Sequence, residues 1–409
     1  MQKTGIVIPR KAFGTGAVIA GAAGIIAGFV LYYFLDPAIF YDLGLYVAVA
    51  GMVFLLYGIY QIFAGEGHED DIKISWKTVK NFLVSHSLML VLLAGIAVIM
   101  MIQPRFLQLQ VLLDILAQSS TRIIVALGVG LTILAAGMDL SAGRMLGLSA
   151  VISASMLQTV DCASRFYPDL PQMALVVPLI MSILVCAVFG AVNGFLIIRC
   201  SVHPLLATLA VQVIVYGTAT LYFDMDQSKS QIIGGLRPDL VFLGQHKLLQ
   251  TGGFPGISIL ILIAALIVSA VWFLLNKTAF GKTIYEMGGH RDWALVSGKK
   301  GSRTVWCVFI LAAVLYGVAG ILEAARTGGA TNNYGSGYEL DAVAACAVGG
   351  ISLKGGAGKV SGIVNGVLVF TVIQYGLQFL AVNPMWQLMI KGIIIAVAAA
   401  VDFPKYRIR

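Results

Sequence analysis

Two short strings carry residue types that bind nucleotide phosphates. NKTAFGKT (276–283) holds Gly281-Lys282-Thr283, and KGGAGKV (354–360) holds Gly358-Lys359. A P-loop needs G-x-x-x-x-G-K-[ST], so that backbone N–H groups cradle the phosphates and the lysine reaches the terminal one. Asn276 stands where the first glycine belongs, and the second string ends in Val360. Neither follows a buried-strand pattern. Both read as loops, and this chain alone is not expected to hydrolyse ATP.

No other catalytic constellation emerges. His68, His86, His203, His246 and His290 are dispersed, and His203-Pro204 reads as the opening of a helix, where proline is tolerated. Cys162, Cys186, Cys200, Cys307 and Cys346 form no C-x-x-C pair and no metal-ligand spacing. They read as small packing residues. No metal, cofactor or catalytic residue is assigned.

Ionisable residues within apolar segments would mark a proton or ion relay. Asp114, Arg122, Glu323, Arg326, Glu339, Asp341 and Lys391 fall nearer the predicted segment ends. A proton- or ion-coupled carrier working alone is therefore the alternative reading rather than the first. The segments do carry neutral polar side chains: Gln118 and Ser119 in QSSTR (118–122), Asn193, Thr208, Gln212, Tyr216, Asn365, Gln374, Tyr375 and Gln378. Amides and hydroxyls can exchange hydrogen bonds with a neutral, hydroxyl-rich solute without trapping it. The same groups also serve as interhelical hydrogen bonds.

The elements that position these residues are dictated by composition. The 409 residues are 59% hydrophobic and 11% charged, against about 25% charged in a soluble domain. The apolar residues come in runs of about 20, enough to cross a ~30 Å hydrocarbon core as α-helix. The alternation of a membrane β-barrel is absent. The fold class is all-α and polytopic. The net charge of +8 sits in short loops between spans, which reads as orientation signals and not as a nucleic-acid surface.

Candidate spans are 14–35, 42–63, 83–102, 111–138, 145–160, 172–198, 204–223, 255–275, 304–325, 339–352, 360–381 and 386–402. The first follows Lys3, Arg10 and Lys11, but is long for a signal-peptide core and lacks a cleavage site, so an uncleaved span is expected. Segments 145–160 and 339–352 are short and rich in small residues, and can be broken or re-entrant if other helices bury them. With both termini cytoplasmic, 19 of the 27 Lys and Arg fall on the inner side. The hydrophilic stretch 64–82 reads as a linker, giving a two-span extension over 1–82 and a ten-span domain over 83–409. Residues 224–254 form the longest outer loop, with turn signals at Gly234-Gly235 and Gly252-Gly253. The strings GAVNG (190–194) and GIVNG (362–366) carry small residues four apart, which let helix backbones approach closely.

YEMGGHRDWALVSGKK (285–300) is too polar and short to span. Gly288-Gly289 interrupts the chain, Asp292 suits a helix start, and Gly298 suits a helix C-cap. The segment reads as an interfacial helix on anionic lipid, or as a docking element for a cytoplasmic partner.

SSTRIIVALGVG (119–130), GMDLSAGRMLGLSAV (137–151), TNNYGSGYELDAVAACAVGGISLKGGAGKVSG (331–362) and NPMWQLMIKG (383–392) resemble the permease subunits of bacterial ABC importers for monosaccharides, the ribose/galactose class. The resemblance covers roughly 83–409. It implies a type II importer-like permease in the inner membrane, working as a homodimer by alternating access. Separate cytoplasmic ATPase subunits would drive it, and a periplasmic sugar-binding protein would supply galactose or glucose. Ribose or a nucleoside is the alternative cargo.

In that family the stretch matching 288–298 is the coupling helix, which docks in a groove of the ATPase. Gly288, Gly289, Ala294, Ser297 and Gly298 match the family pattern. His290, Trp293 and Lys299 depart from it. Arg165, Arg237 and Arg326, on the expected outer side, are candidates for docking the binding protein.

Overall fold

The computed structural model describes residues 6–8, 17–28, 72–74, 99, 102–162, 164–225, 231–251, 254–289 and 301–402. The chain divides into two compact units. The first holds residues 1–112 and 375–381. Within it, β1 (Ile6–Ile8) pairs antiparallel with β2 (Ile72–Ile74), with Val7 opposite Lys73. Between them lies α1 (Ala17–Gly28), an apolar helix inside the expected span 14–35. The buried ring of Phe106 packs edge-on against Phe379 with centroids 5.5 Å apart. All of span 42–63, and all of 83–102 except residues 99 and 102, lies outside the described residues.

The second unit carries the helices α2 (Leu109–Leu134, from residue 113 onward), α3 (Ala142–Met156), α4 (Val176–Ile198), α5 (Pro204–Phe223), α6 (Pro238–Gln245), α7 (Ile259–Lys277), α8 (Ala279–Gly289), α9 (Gly301–Thr327), α10 (Tyr338–Val348), α11 (Val360–Phe379, up to residue 374) and α12 (Pro384–Asp402). Proline opens α5, α6 and α12, where its missing N–H costs no helical bond. The side chain of Asn383 caps α12 by accepting from the Met385 N–H at 2.9 Å. The hairpin β3 (Lys247–Leu248) and β4 (Ile257–Ser258) lies between α6 and α7, and Ser258 caps α7 by accepting from the Leu260 N–H. α6 lies within the expected outer loop 224–254.

Among the described residues, six helices are long and apolar enough to cross a membrane: α2, α4, α5, α7, α9 and α11. They match the expected spans within a few residues at most ends. Their burial differs sharply. α2 and α9 are 61% buried over their apolar windows, whereas α7 is 22% buried. A helix as apolar as α7 that is buried so little needs a hydrocarbon environment around it. Leu184, Val188, Leu206, Val213, Leu221, Leu266 and Phe273 are exposed in the same way. The polytopic membrane fold follows from this combination.

α9 lies at the centre, packed most extensively on α4 and α3. The small residues are what allow it. A Cβ on Gly190 of α4 would stand 2.6 Å from the Phe309 carbonyl oxygen of α9; between α10 and α11, likewise, one on Gly366 would stand 2.0 Å from the Ala345 carbonyl oxygen.

The two short segments do not cross alone. α3 has 15 residues and α10 has 11, about 22 Å and 16 Å at 1.5 Å per residue. α10 is preceded by a non-helical stretch, 328–337, that enters the bundle beside α3. At one end Ala330 exchanges two backbone hydrogen bonds with Ile233. At the other, Gly335 meets the first turn of α3, where a Cβ on Gly143 would be 2.1 Å from the Gly335 carbonyl oxygen. Gly335 and Gly337 have positive φ, +75° and +79°, which only glycine adopts freely. Such backbone is tolerated at depth because protein buries it.

Candidate transport site and coupling face

The stretch 328–337 delivers the N-terminus of α10 into the interior of the second unit, where Tyr338, Glu339 and Asp341 of its first turn each meet a different helix. The Tyr338 hydroxyl donates to Glu323 of α9 at 3.3 Å, and the Arg122 guanidinium of α2 lies 5.2 Å from the Tyr338 ring centroid. Glu339 accepts from the Gln212 amide of α5 at 3.2 Å. Asp341 pairs with Lys391 of α12. Two carboxylates in a first helical turn are favoured by the positive end of the helix dipole.

Around this hub most charged groups find a partner, although Arg122 Nε and Glu339 Oε2 are buried without a hydrogen bond. Glu323 is 5% exposed, yet it accepts from Thr121 Oγ1 at 2.8 Å and pairs with Arg326 at 2.7 Å. Arg122 also donates to Gln374. A buried carboxylate is tolerable only with partners of this kind. A cavity of about 20 Å³ is lined by Arg122, Tyr338, Asp341 and Thr371. That volume holds about one water molecule and no monosaccharide.

Beside the hub, on the more open side, Arg144 stacks over the Tyr216 ring, 4.1 Å from its centroid. Its two terminal nitrogens donate to Asn333 Oδ1 and Ser336 Oγ, each at 3.3 Å. Tyr216 is 39% exposed. A part-exposed aromatic ring beside a guanidinium, an amide and a carboxylate can contribute to holding a sugar ring and bonding its hydroxyls.

The candidate pathway residues divide. Gln212, Tyr216 and Gln374 join the charged cluster. Ser119 and Thr208 are buried and donate to carbonyls of their own helices, Thr208 also to Met138 O at 3.1 Å. Asn193 is buried and donates to Ser141 Oγ at 3.0 Å. Gln118 is half-buried, and Asn365 and Gln378 are exposed. Arg122, Glu323, Glu339, Asp341 and Lys391, expected nearer the segment ends, are instead gathered around the start of α10. The available signal was the glycine-rich TNNYGSG just before YELD, which allows a helix to start inside the bundle.

The turn between α2 and α3 holds a second polar group. Asp139 is fully buried, and its Oδ1 accepts from the Ser141 N–H at 2.9 Å and from the Ser141 hydroxyl. Burial pushes the Asp139 carboxyl above its ordinary range, against the lowering effect of the Ser141 hydrogen bonds.

The expected coupling segment is only partly described. Gly288 and Gly289 end α8, while His290, Trp293, Ala294, Ser297 and Gly298 lie outside the described residues. The end of α8 packs on the turn that follows α10. The Gly356 N–H donates to the Leu134 carbonyl at 3.0 Å, and Tyr285 donates to the Gly358 carbonyl at 3.1 Å. The string KGGAGKV is thus a tight turn under α8. Burial raises the Tyr285 hydroxyl above its ordinary range.

The three arginines expected on the outer side hold partners inside the chain. Arg165 donates to the Pro168 and Leu170 carbonyls, Arg237 to the Met173 carbonyl and to Asp239, and Arg326 to Glu323.

The model of the branched-chain amino acid transport system / permease component family matches residues 111–399. The galactose/methyl galactoside import permease protein MglC of Escherichia coli (strain K12) is 42% identical over 330 residues, 81% of this chain and 97% of the relative. MglC of Haemophilus influenzae is 41% identical over 326 residues, 80% of this chain and 96% of the relative. The ribose import permease protein RbsC of Escherichia coli (strain K12) is 30% identical over 326 residues, 80% of this chain and 96% of the relative. No solved structure matches the chain significantly. By the family model and by these full-length relatives, the chain belongs to the branched-chain amino acid transport system / permease component family of membrane permeases.

Proposed function

We propose that the chain is the membrane-spanning subunit of an ATP-driven importer, and that its cargo is a monosaccharide, galactose or glucose first. The observation that carries the cargo is the 42% identity to a galactose/methyl galactoside import permease, against 30% for a ribose import permease. The site chemistry agrees with it. Tyr216, Arg144, Gln212 and Glu339 offer a stacking face and hydrogen-bonding groups of the kind a neutral sugar uses. The cavity beside Arg122 is too small for a sugar, so passage needs the hub to open and reclose, as alternating access requires.

The chain lacks a P-loop, so energy comes from a separate cytoplasmic ATPase docked on the segment after α8. Gly288 and Gly289 lead into that segment, with His290, Trp293, Ala294, Ser297 and Gly298 as its contacts. A second copy of the permease completes the path. A periplasmic sugar-binding protein delivers cargo to the outer face, using the exposed edges of Arg165, Arg237 and Arg326. Both termini are cytoplasmic in this arrangement. The β1–β2 pairing brings residues 6–8 and 72–74 to the same side, as an even number of crossings between them requires.

Buried carboxylates at Glu323 and Glu339 give the proton-coupled alternative a specific observation. An uncoupler separates the two. With internal ATP held constant, uptake in vesicles is expected to persist when the proton gradient is dissipated. Collapse of uptake would favour the carrier.

A further inference from the structure

We infer that the protein binds an anionic phospholipid in a pocket between the end of α4 and the start of α9. The pocket has a volume of about 650 Å³, within the range of ligand sites. Its floor is the Trp306 indole, laid against Gly194 so closely that a Cβ there would stand 2.0 Å from Trp306 Cδ1. The indole N–H donates to the Ala191 carbonyl at 3.0 Å, which fixes the ring. Phe195 and Ile198 form an apolar wall on α4. Arg199, just past the end of α4, and Arg303, in the first turn of α9, supply two guanidinium groups. Both are exposed, and neither has a hydrogen-bond or ion-pair partner among the described residues.

Each part suits one portion of a lipid. Guanidinium groups bind phosphate with two parallel hydrogen bonds. The lining contains no acidic residue among those described, so the local field is positive. Tryptophan belongs at the level of the headgroups, and Phe195, 54% exposed, faces where acyl chains run. Basic pockets between membrane helices on the cytoplasmic side bind anionic headgroups. The pocket lies at that end of the bundle under the proposed orientation: Gly301, which begins α9, packs on Met287 at the end of α8. The inference rests on the membrane reading and on that side assignment, not on the cargo. It gives the pocket a consequence for coupling, because a bound lipid would brace the start of α9 beside the segment that docks the ATPase.

The test is native mass spectrometry of the full-length permease, purified in mild detergent and titrated with phosphatidylglycerol, phosphatidylcholine or inorganic phosphate. The wild type is expected to retain phosphatidylglycerol over phosphatidylcholine. The double variant R199Q/R303Q is expected to lose that preference by about tenfold to thirtyfold, as removal of two charges beside an anionic headgroup implies. R199K/R303K should keep much of it. Circular dichroism and gel filtration of each variant establish that it is folded. Unchanged phosphatidylglycerol retention by folded R199Q/R303Q would overturn the proposal. So would equal displacement by inorganic phosphate at matched concentration, which would mean a free-anion site. Loss of ATPase assembly with lipid retention intact would assign the surface to the ATPase instead, and also overturn it.

Discussion

Gly288 and Gly356 touch backbone to backbone. A Cβ on Gly288 would stand 2.3 Å from the Gly356 nitrogen and 1.9 Å from the Leu134 carbonyl oxygen. The last turn of α8 is therefore wedged between the end of α2 and the turn that follows α10. A movement of the segment after α8 has a direct route to α10, whose other end is the charged hub.

Gly288→Ala is expected to disturb that route, because the obstructing atoms are backbone and cannot swing aside. Reconstituted with its ATPase, the variant should lose at least about tenfold in sugar moved per ATP hydrolysed. Gly298→Trp, within the proposed docking segment, should uncouple hydrolysis from uptake while membrane insertion is retained. Normal coupling ratios in both variants would remove the mechanical role assigned to this contact.

Tyr216→Ala and Arg144→Gln test the sugar subsite. An aromatic face or one charged hydrogen-bonding group contributes roughly 1–1.5 kcal/mol, about tenfold in affinity. Uptake should fall by that factor at low sugar concentration and recover in part at high concentration. ATPase assembly should not change. Uptake equal to wild type at all concentrations would place the sugar elsewhere.

Asp341 and Lys391 form a pair that is mostly buried, with side chains 13% and 24% exposed. Removing one partner strands the other charge, which costs about 3–5 kcal/mol, while replacing both by neutral groups costs far less. Lys391→Met should lower the thermal midpoint sharply, and D341N/K391M should recover most of it. Additive losses in the double variant would show that the two side chains are not energetically coupled.

Asp139 makes stability depend on pH. Burial raises its folded-state pKa above the unfolded value. The charged carboxyl then weakens the fold at pH above the unfolded value, and the penalty shrinks as pH falls and the group protonates. The thermal midpoint of wild type should rise as pH is lowered from 8 toward the ordinary carboxylate range. Asp139→Asn should flatten that slope and raise the midpoint at pH 8 by about 2 °C or more. A variant less stable than wild type at pH 8 would mean that the ionised carboxylate supports the turn.

Much of the bundle was legible in the sequence because apolar length is a direct record of the hydrocarbon thickness. α5 begins at Pro204 where His203-Pro204 suggested, and the six membrane-length helices fall where runs of about 20 apolar residues lie. The small residues of GAVNG and GIVNG sit at the close helix contacts they suggested. The charged hub was not legible. Glu323, Glu339, Asp341 and Lys391 are scattered along the chain, and they meet only because 328–337 enters the bundle without helix. Hydropathy carries no sign of that entry, and local propensity favours an ordinary loop there. Ser119, Thr208 and Asn193 illustrate the opposite limit: a polar residue in an apolar run reads the same whether it bonds a carbonyl or a solute.

The most direct measurement is uptake of labelled galactose by proteoliposomes holding the permease, its ATPase and its sugar-binding protein. ATP-dependent accumulation that unlabelled glucose reduces, and that excess leucine leaves unchanged, is the predicted result. Uptake without ATP, or no uptake of any hexose with all three components present, would contradict it.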